Sequence, residues 1–187
     1  MQVVLLGPPG AGKGTQAVQI CERYNIPHIS TGDMLRQQVS SGSPLGNKVK
    51  SILDSGELVT DDIIMQVVEA RLSQPDCKRG FLLDGIPRTV AQAQSLATLL
   101  LKMGAAKLKV LQINVPDEIL LERIQGRQGQ SSRSDDTAEV AAKRLKVYRE
   151  QTAPVATYYE QHGNLVKLDG VGTVEEVFDR IATALAG

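Results

Sequence analysis

The fold of this chain is decided by the stretch Val3-Val4-Leu5-Leu6-Gly7-Pro8-Pro9-Gly10-Ala11-Gly12-Lys13-Gly14-Thr15. An apolar, β-branched run stops at a glycine, and a helix-forming segment begins at the lysine. This spacing predicts a phosphate-binding loop between a buried strand and a helix. Glycines let successive backbone N–H groups converge on one centre, and the N-terminus of the helix adds partial positive charge. The alternative, a glycine turn beside a surface lysine, does not explain why strand, loop, lysine and helix follow in this order.

Two side chains of this loop indicate how it handles a nucleotide. We expect Lys13 to reach the outer phosphates as a point charge and Thr15 to place its hydroxyl near Mg²⁺. The Ser or Thr that usually follows the lysine directly is replaced by Gly14, and the threonine comes one position later.

The composition is that of an ordinary globular chain, and it argues against some functions. The length of 187 residues predicts one domain with room for a small insertion. Lys and Arg number 21 and Asp and Glu number 21, so the net charge of +0 provides no basic field for nucleic acid. Aromatic residues make up 3% and Trp is absent, which leaves no platform for stacking single-stranded bases.

The two cysteines and the lack of long apolar runs set further expectations. Cys21 and Cys77 lie far apart, so we expect free, buried thiols and no zinc site. The sequence shows no signal peptide, transit peptide or membrane-length apolar run, so we expect a cytoplasmic protein with no membrane partner. We also expect it to act as a monomer.

Strand-like runs alternate with segments of helical periodicity, and this alternation predicts an α/β fold with a parallel sheet covered on both faces. The runs lie at Gln2–Leu6, His28–Ser30, Phe81–Asp84, 108–115 and 165–168. Ligands bind such sheets at the carboxyl ends of the strands. The residues expected along that edge are Gly7, Ser30, Thr31, Gly32, Asp33, Asp84, Gly85, Val115, Pro116, Asp169 and Gly170.

Residues 30–59 are predicted to form a small helical insertion at the sheet edge, with turns near Gly42 and Gly56. We expect the insertion to move as a unit, although a solvated helical decoration is the alternative. Asp33 can stand near Lys13 and Mg²⁺ if the two strands are neighbours, and Arg36 projects towards the cleft one helical turn later. His28 is assigned no role, because a lone His in this position is more often structural.

The segment after the third strand carries more polar residues at the ligand edge. Asp84 occupies the position from which an acid holds Mg²⁺ directly or through water in phosphate-loop proteins, although a turn Asp is the alternative. Arg88 follows a tight turn and suits bidentate phosphate binding better than solubility alone. Gln92 lies about one helical turn further on the same face.

Arginines recur in the second half of the chain. Arg123 and Arg127 share a helix face, Arg133 lies on the polar loop 126–136, and Arg144 lies on a helix that begins near Thr137. A solvated basic face is the usual interpretation of such a run, but a phosphate loop needs charge neutralisation, which favours function here. Further on, Pro154 is predicted to end or kink the helix, and Thr173 and Glu176 have capping-box spacing.

Along nearly its whole length the chain resembles the adenylate kinases, within the nucleoside monophosphate kinases. The ending Gly12-Lys13-Gly14-Thr15 is similar to that family's loop and accounts for the displaced threonine. Other motifs similar to the family's are Ser30 to Arg36, Asp84-Gly85-Ile86-Pro87-Arg88, Glu122-Arg123-Ile124-Gln125-Gly126-Arg127, Ser132-Arg133-Ser134-Asp135-Asp136 and Lys143-Arg144-Leu145. Two departures are Ile86, where the family usually has Phe, and the short lid at 126–136. A zinc site and a large lid closure are therefore not carried over.

The resemblance implies a fold of the P-loop NTPase type and reversible, Mg²⁺-dependent phosphoryl transfer, ATP + AMP = 2 ADP. The ATP-binding residues that it implies are Gly10, Ala11, Gly12, Lys13, Gly14, Thr15, Arg123, Arg127 and Gly172. Those implied for AMP are Thr31, Arg36, Glu57, Leu58, Val59, Gly85, Arg88, Gln92, Arg133 and Arg144. The groups expected around the transferred phosphoryl are Lys13, Arg88, Arg133 and Arg144, with Mg²⁺ held through water near Asp84 and Asp33.

Other functions remain open from the residues alone. A phosphate-loop hydrolase or switch needs a water-positioning residue and no second bank of arginines, and a nucleotide sensor needs no arginine cluster. Among kinases, UMP, CMP or a small metabolite as acceptor and GTP as donor are alternatives. Thr31 and Gln92 favour adenine, since the related UMP/CMP kinases usually have Ala and Asn there.

Overall fold

The computed structural model describes residues 1–104, 108–127 and 137–187, apart from the side chain of Arg127. Its strands are β1 Gln2–Leu6, β2 His28–Ser30, β3 Phe81–Asp84, β4 Leu108–Asn114 and β5 Leu165–Asp169. They form a five-stranded sheet in the order β2-β3-β1-β4-β5, in which every neighbouring pair is parallel. The predicted α/β fold is confirmed, and the carboxyl ends of these strands share one edge.

Helices connect the strands and cover the sheet. They are α1 Lys13–Tyr24, α2 Thr31–Ser40, α3 Pro44–Asp54, α4 Asp61–Leu72, α5 Val90–Lys102, α6 Asp117–Arg127, α7 Ala138–Val147, α8 Ala153–Gln161 and α9 Val174–Ala186. A 3₁₀ helix at Pro75–Arg79 precedes β3, and a π-helical turn at Tyr148–Thr152 joins α7 to α8. None of the helices in the described ranges is long and apolar enough to cross a membrane.

The central strand β1 shows why the sheet is buried on both faces. Val4 and Leu6 pack into one hydrophobic cluster with residues of α4, α5 and α8, whereas Val3 and Leu5 pack into a second with residues of α1, α6 and α9. Alternate side chains of a strand point to opposite faces, so a continuous apolar run serves both clusters. The core is thus divided by the sheet into two layers.

Some boundaries differ from the sequence prediction. β4 ends at Asn114 rather than Val115, because Pro116 has no N–H with which to continue the ladder. β5 continues to Asp169 through its pairing with Asn114. Neither the 3₁₀ helix nor α8 was predicted.

The helical path does not end at Pro154. It lies in the first turn of α8, where a missing N–H costs little, and the π-helical turn lies immediately before this helix. Cys77 is buried as expected, whereas Cys21 is only partly buried, and both thiols are free.

Within the predicted insertion 30–59, Ser30 ends β2, and residues 31–59 contain α2 and α3 and no strand. Ser43 ends the turn before α3 and caps this helix by accepting a hydrogen bond from the N–H of Gly46 at 2.9 Å. Pro44 in the first turn fixes the start of the helix. The loop that follows α3 returns the chain to α4 beside the carboxyl edge of the sheet.

Candidate active site

The loop between β1 and α1 closes around the side chain of Lys13. Its Nζ donates hydrogen bonds to the backbone oxygens of Gly7 at 2.8 Å and Pro8 at 3.1 Å. Gly12 has a φ of 90°, and a Cβ added there would meet no atom within 4 Å, so its backbone faces open space. No side chain of the described residues caps α1 at Gly12. The first N–H groups of α1 and one ammonium group therefore converge where a phosphate fits.

A cavity of about 570 Å³ lies over this loop and carries most of the predicted charged residues. Its charged lining residues are Lys13, Asp33, Arg36, Asp84, Arg88 and Arg144. They come from α1, α2, β3, the turn after β3 and α7, so distant parts of the chain meet at one edge of the sheet. Four cations and two acids make this cavity suitable for a polyanion with a hard cation.

Asp84 has a neighbour that the sequence reasoning missed. Nε2 of His28 lies 3.4 Å from its carboxylate, a distance for an ion-pair contact rather than a close hydrogen bond. Burial acts to raise the pKa of Asp84, but the contact with His28 and the charges of Lys13 and Arg88 outweigh it and hold that pKa below its usual value. Asp84 is therefore ionised in this site. The available signal was that the two short runs His28–Ser30 and Phe81–Asp84 become neighbouring strands, in which His28 pairs with Leu82, two residues before Asp84.

Asp33 and Arg36 form a pair on the first turn of α2. Nη2 of Arg36 donates to Oδ1 of Asp33 at 2.5 Å, and Ser30 caps the helix by accepting from the N–H of Asp33 at 3.3 Å. Both side chains line the phosphate cavity, although β2 and β1 are not the neighbouring strands that the sequence reasoning required, since β3 lies between them.

Arg88 is fixed by the turn in which it lies. Its Nε donates to the backbone oxygen of Gly85 at 2.8 Å, and its backbone N–H donates to Oε1 of Gln92 at 2.7 Å. The hydroxyl of Thr31 also donates to the oxygen of Gly85 at 3.0 Å. Nε2 of Gln92 donates to Asp61 at 2.8 Å, so Asp61 is a further residue of this network that the sequence reasoning did not assign to the site.

A small pocket of about 30 Å³ adjoins the phosphate cavity beneath α2 and α3. The residues lining it are Thr31, Gly32, Leu35, Leu53, Glu57, Leu58, Val59, Ile64, Gly85, Arg88 and Gln92. Apolar side chains form much of its wall, and its polar side chains are those of Thr31, Arg88 and Gln92 in the Arg88 network together with Glu57. Such a lining offers apolar faces and edge hydrogen bonds to a flat base, but a space of about 30 Å³ admits a base only when its walls move apart.

A third cavity, of about 410 Å³, lies on the other side of the loop. Its lining residues are Gly10, Ala11, Gly12, Thr15, Gln16, Arg123, Gly170, Gly172, Thr173, Val174 and Val177. Nη2 of Arg123 donates to the oxygen of Gly170 at 3.1 Å, which ties α6 to the turn after β5. Gln16, buried in α1, was not predicted here, and its Nε2 donates to the oxygen of Val174 at 2.9 Å.

Two predicted site residues cannot be placed. The side chain of Arg127 and the whole of Arg133, with most of the predicted lid 126–136, lie outside the described residues. Gly14 lies in the first turn of α1 and lines the phosphate cavity. The remaining predicted site residues line one of the three cavities. This fold and this site define a phosphate-loop nucleotide-binding protein of the α/β class.

Comparison with known proteins narrows the class. The family model described as adenylate kinase matches residues 5–164. The chain is 53% identical over 185 residues to an adenylate kinase of Xanthomonas oryzae pv. oryzae (strain MAFF 311018), with 99% of each chain covered. It is 52% identical to that of Xanthomonas campestris pv. campestris (strain 8004) and 50% identical to that of Stenotrophomonas maltophilia (strain K279a), again with 99% of each chain covered. The chain belongs to the adenylate kinase family.

Proposed function

We propose that this protein is a nucleoside monophosphate kinase that catalyses the reversible reaction ATP + AMP = 2 ADP. The observation that carries the proposal is a row of three cavities with shared walls. Gly10, Gly12 and Thr15 line both the 410 Å³ and the 570 Å³ cavity. Gly32, Gly85 and Arg88 line both the 570 Å³ cavity and the small pocket. In this proposal the row holds a donor base, a chain of phosphates and, once the small pocket widens, an acceptor base, whereas a hydrolase needs only one nucleotide site.

The ATP side is assigned to the loop and to the turn after β5. In this proposal the phosphates lie on the N–H groups of Gly10 to Thr15 with the ammonium of Lys13, and the base lies between Arg123 and Gly172. Arg127 is assigned to the same nucleotide. The alignment of N–H groups and the position of Lys13 support this assignment.

The AMP side is assigned to the small pocket and its rim. Thr31, Gln92, Gly85 and the backbone from Glu57 to Val59 hold the base and ribose, and Arg36 and Arg88 hold the phosphate. We further propose that 30–59 acts as the monophosphate-binding unit and 126–136 as a short lid that carries Arg133. The position of the pocket beside the phosphate cavity supports this arrangement.

Catalysis in this arrangement is positioning and charge neutralisation. The phosphate of AMP is already an anionic nucleophile, so no general base is required. Lys13, Arg88, Arg133 and Arg144 are assigned to the charge on the transferred phosphoryl group. Closure of the insertion and the lid excludes water, because an open site would hydrolyse ATP.

Magnesium suits the oxygen donors of the phosphate cavity. The hydroxyl of Thr15 and the carboxylates of Asp33 and Asp84 line it, and Asp84 is held ionised there. These are the hard ligands that Mg²⁺ prefers, directly or through its waters. Bound with ATP, Mg²⁺ would supply charge neutralisation at the phosphate oxygens. Asp84 and Asp33 are assigned to orient its water ligands.

The proposal includes a cytoplasmic enzyme that works as a monomer without nucleic acid or membrane partners. The net charge of +0 supports the absence of a nucleic-acid partner. Light scattering coupled to size-exclusion chromatography should give the mass of one chain.

The reaction is tested by ³¹P NMR of Mg²⁺-ATP with the purified protein. Separate samples contain AMP, CMP, UMP or no acceptor, and a parallel set uses GTP as donor. ADP should form only with AMP, and ATP and AMP should reappear from ADP alone. Phosphate release without acceptor would support a hydrolase instead, and turnover with CMP or UMP would change the assigned acceptor.

A further inference from the structure

The loop after α3 is bound to α7, a helix that the chain reaches much later. Nζ of Lys143 donates a hydrogen bond to Oε1 of Glu57 at 2.8 Å, across 86 positions of sequence. The two side chains keep 43% and 57% of their surface exposed. Lys143 precedes Arg144 in the sequence, and no role was predicted for it.

Gly56 shows that this contact involves backbone packing as well as two charged side chains. It is buried, and its φ is 73°. A Cβ at this position would lie 3.0 Å from Cγ of Arg144 and 3.0 Å from Cγ1 of Val140, both on α7. Only a glycine lets the loop approach the helix so closely. Gly56 and Glu57 therefore form one continuous contact with α7.

This contact joins the two sides of the proposed reaction. Leu58 and Val59, which follow Glu57, line the small acceptor pocket. Arg144, which follows Lys143, lines the phosphate cavity. Movement of the loop away from α7 would separate the acceptor base site from this arginine.

We propose that Lys143 is a positioning residue that, through Glu57, holds the acceptor-binding loop at the distance from Arg144 that AMP requires. The inference rests on the proposed function and adds to it a residue that touches neither nucleotide. The pair affects the binding of AMP because the loop that carries Glu57 forms part of the AMP pocket. Neither residue of the pair lines the 410 Å³ donor cavity, so the binding of ATP should not depend on it.

Kinetics separate this role from a purely structural one. Loss of an exposed ion pair changes a binding constant by at most about fivefold, and added salt makes this change smaller. Lys143→Ala and Glu57→Gln should each raise the KM for AMP about threefold to fivefold, with KM for ATP and kcat within about twofold of the parent. Lys143→Arg should restore most of the loss, and 0.5 M NaCl should shrink the difference from the parent.

The decisive measurement is a charge exchange. Glu57→Lys and Lys143→Glu should each raise the KM for AMP, and the double variant should recover towards the parent value, because the pair is restored with its signs reversed. Lys146→Ala is the matched control, since Lys146 lies on the same helix and pairs only loosely with Glu150 at 4.0 Å. It should leave the KM for AMP unchanged.

The outcomes are distinguishable from failure of the proposed function. If the parent chain does not phosphorylate AMP, the proposed function fails. The positioning role of Lys143 is wrong if the parent is active but the increases in the KM for AMP caused by Glu57→Lys and Lys143→Glu add up in the double variant. It is also wrong if the KM for ATP rises as much as the KM for AMP. Thermal unfolding of each variant should match the parent closely, and a uniform loss of kcat and stability would likewise overturn the inference.

Discussion

At the scale of single residues, Arg88 carries the sharpest chemical expectation. Its guanidinium is held by the oxygen of Gly85, and it lines both the phosphate cavity and the acceptor pocket. A side chain in this position can bridge the acceptor phosphate and the transferred group. Removing this side chain should destabilise the transition state of the reaction far more than it destabilises the folded protein.

Arg88→Ala should therefore lower kcat/KM for AMP on the order of 10³-fold or more, as measured by coupled ADP assay. Arg88→Lys should not restore it, because a lysine lacks the bidentate geometry. Arg79→Ala is the matched control, since Arg79 is exposed and precedes β3 at the opposite edge of the sheet. Turnover of Arg88→Ala near that of the parent would contradict the assignment.

The thiol of Cys21 should react slowly with alkylating reagents although the residue is only partly buried. Burial, followed by the negative charge of Asp84, raises its pKa from 9.0 to about 11. Because the thiolate is the reactive species, alkylation by iodoacetamide at pH 8 should be about 100-fold slower than in urea. Between pH 9 and 10 the native rate should rise almost tenfold, whereas the rate in urea should rise about twofold, because a thiol of pKa 9.0 is already half ionised at pH 9. Peptide mapping distinguishes Cys21 from Cys77, and equal rates in both states would contradict the raised pKa.

At the scale of elements, the start of α9 tests how local signals stabilise the fold. The N–H of Glu176 donates to the hydroxyl of Thr173 at 3.2 Å, and the N–H of Thr173 donates to the carboxylate of Glu176 at 2.8 Å. This is the capping box that the sequence predicted, and it also shapes one wall of the donor cavity.

Thr173→Ala should lower the free energy of unfolding by about 1 kcal/mol, because the first turn of α9 loses a side-chain acceptor. Urea unfolding followed by circular dichroism measures this loss. The same substitution later in α9, Thr183→Ala, should be neutral or slightly stabilising, since Ala is the better helix former away from a cap. Equal losses for the two variants would show that the cap contributes nothing particular.

The elements also show where local signals reach their limit. Pro154 predicted an end or a kink of the helix, and the chain continues past it in α8, where Val155, Ala156 and Tyr159 are buried in the core. The burial of one helical face outweighs the missing N–H of a single proline. No local pattern carries that information.

At the scale of the whole molecule, the row of cavities predicts separate footprints for the two nucleotides. In hydrogen exchange over seconds to minutes, AMP alone should slow exchange mainly within 30–59. ATP without acceptor should slow it mainly in 7–15 and 169–174. The two footprints differ because the nucleotides contact opposite ends of the row, and binding stabilises the local structure at each contact.

The middle of α5 provides an internal reference for that experiment. Leu96, Leu99 and Leu100 are buried in the core and line none of the three cavities, so their amides should be unaffected by either ligand. Identical footprints for AMP and ATP would contradict the assignment of separate sites.

The sequence by itself determined those features that depend on neighbours along the chain. The loop ending at Lys13, the strand that stops at Asp84 and the capping box at Thr173 could be predicted, because glycine freedom, helix capping and apolar periodicity act over a few residues. The parallel sheet followed from the alternation of elements, and with it the edge on which the site lies.

Only the tertiary structure decided which distant side chains meet. His28 reaches Asp84 because β2 pairs with β3 in one register, Gln92 reaches Asp61 because α5 packs beside α4, and Lys143 reaches Glu57 because Gly56 lies against α7. Each of these contacts depends on the packing of elements far apart in sequence. Packing minimises the free energy of the whole core, so no short pattern of residues specifies such partners.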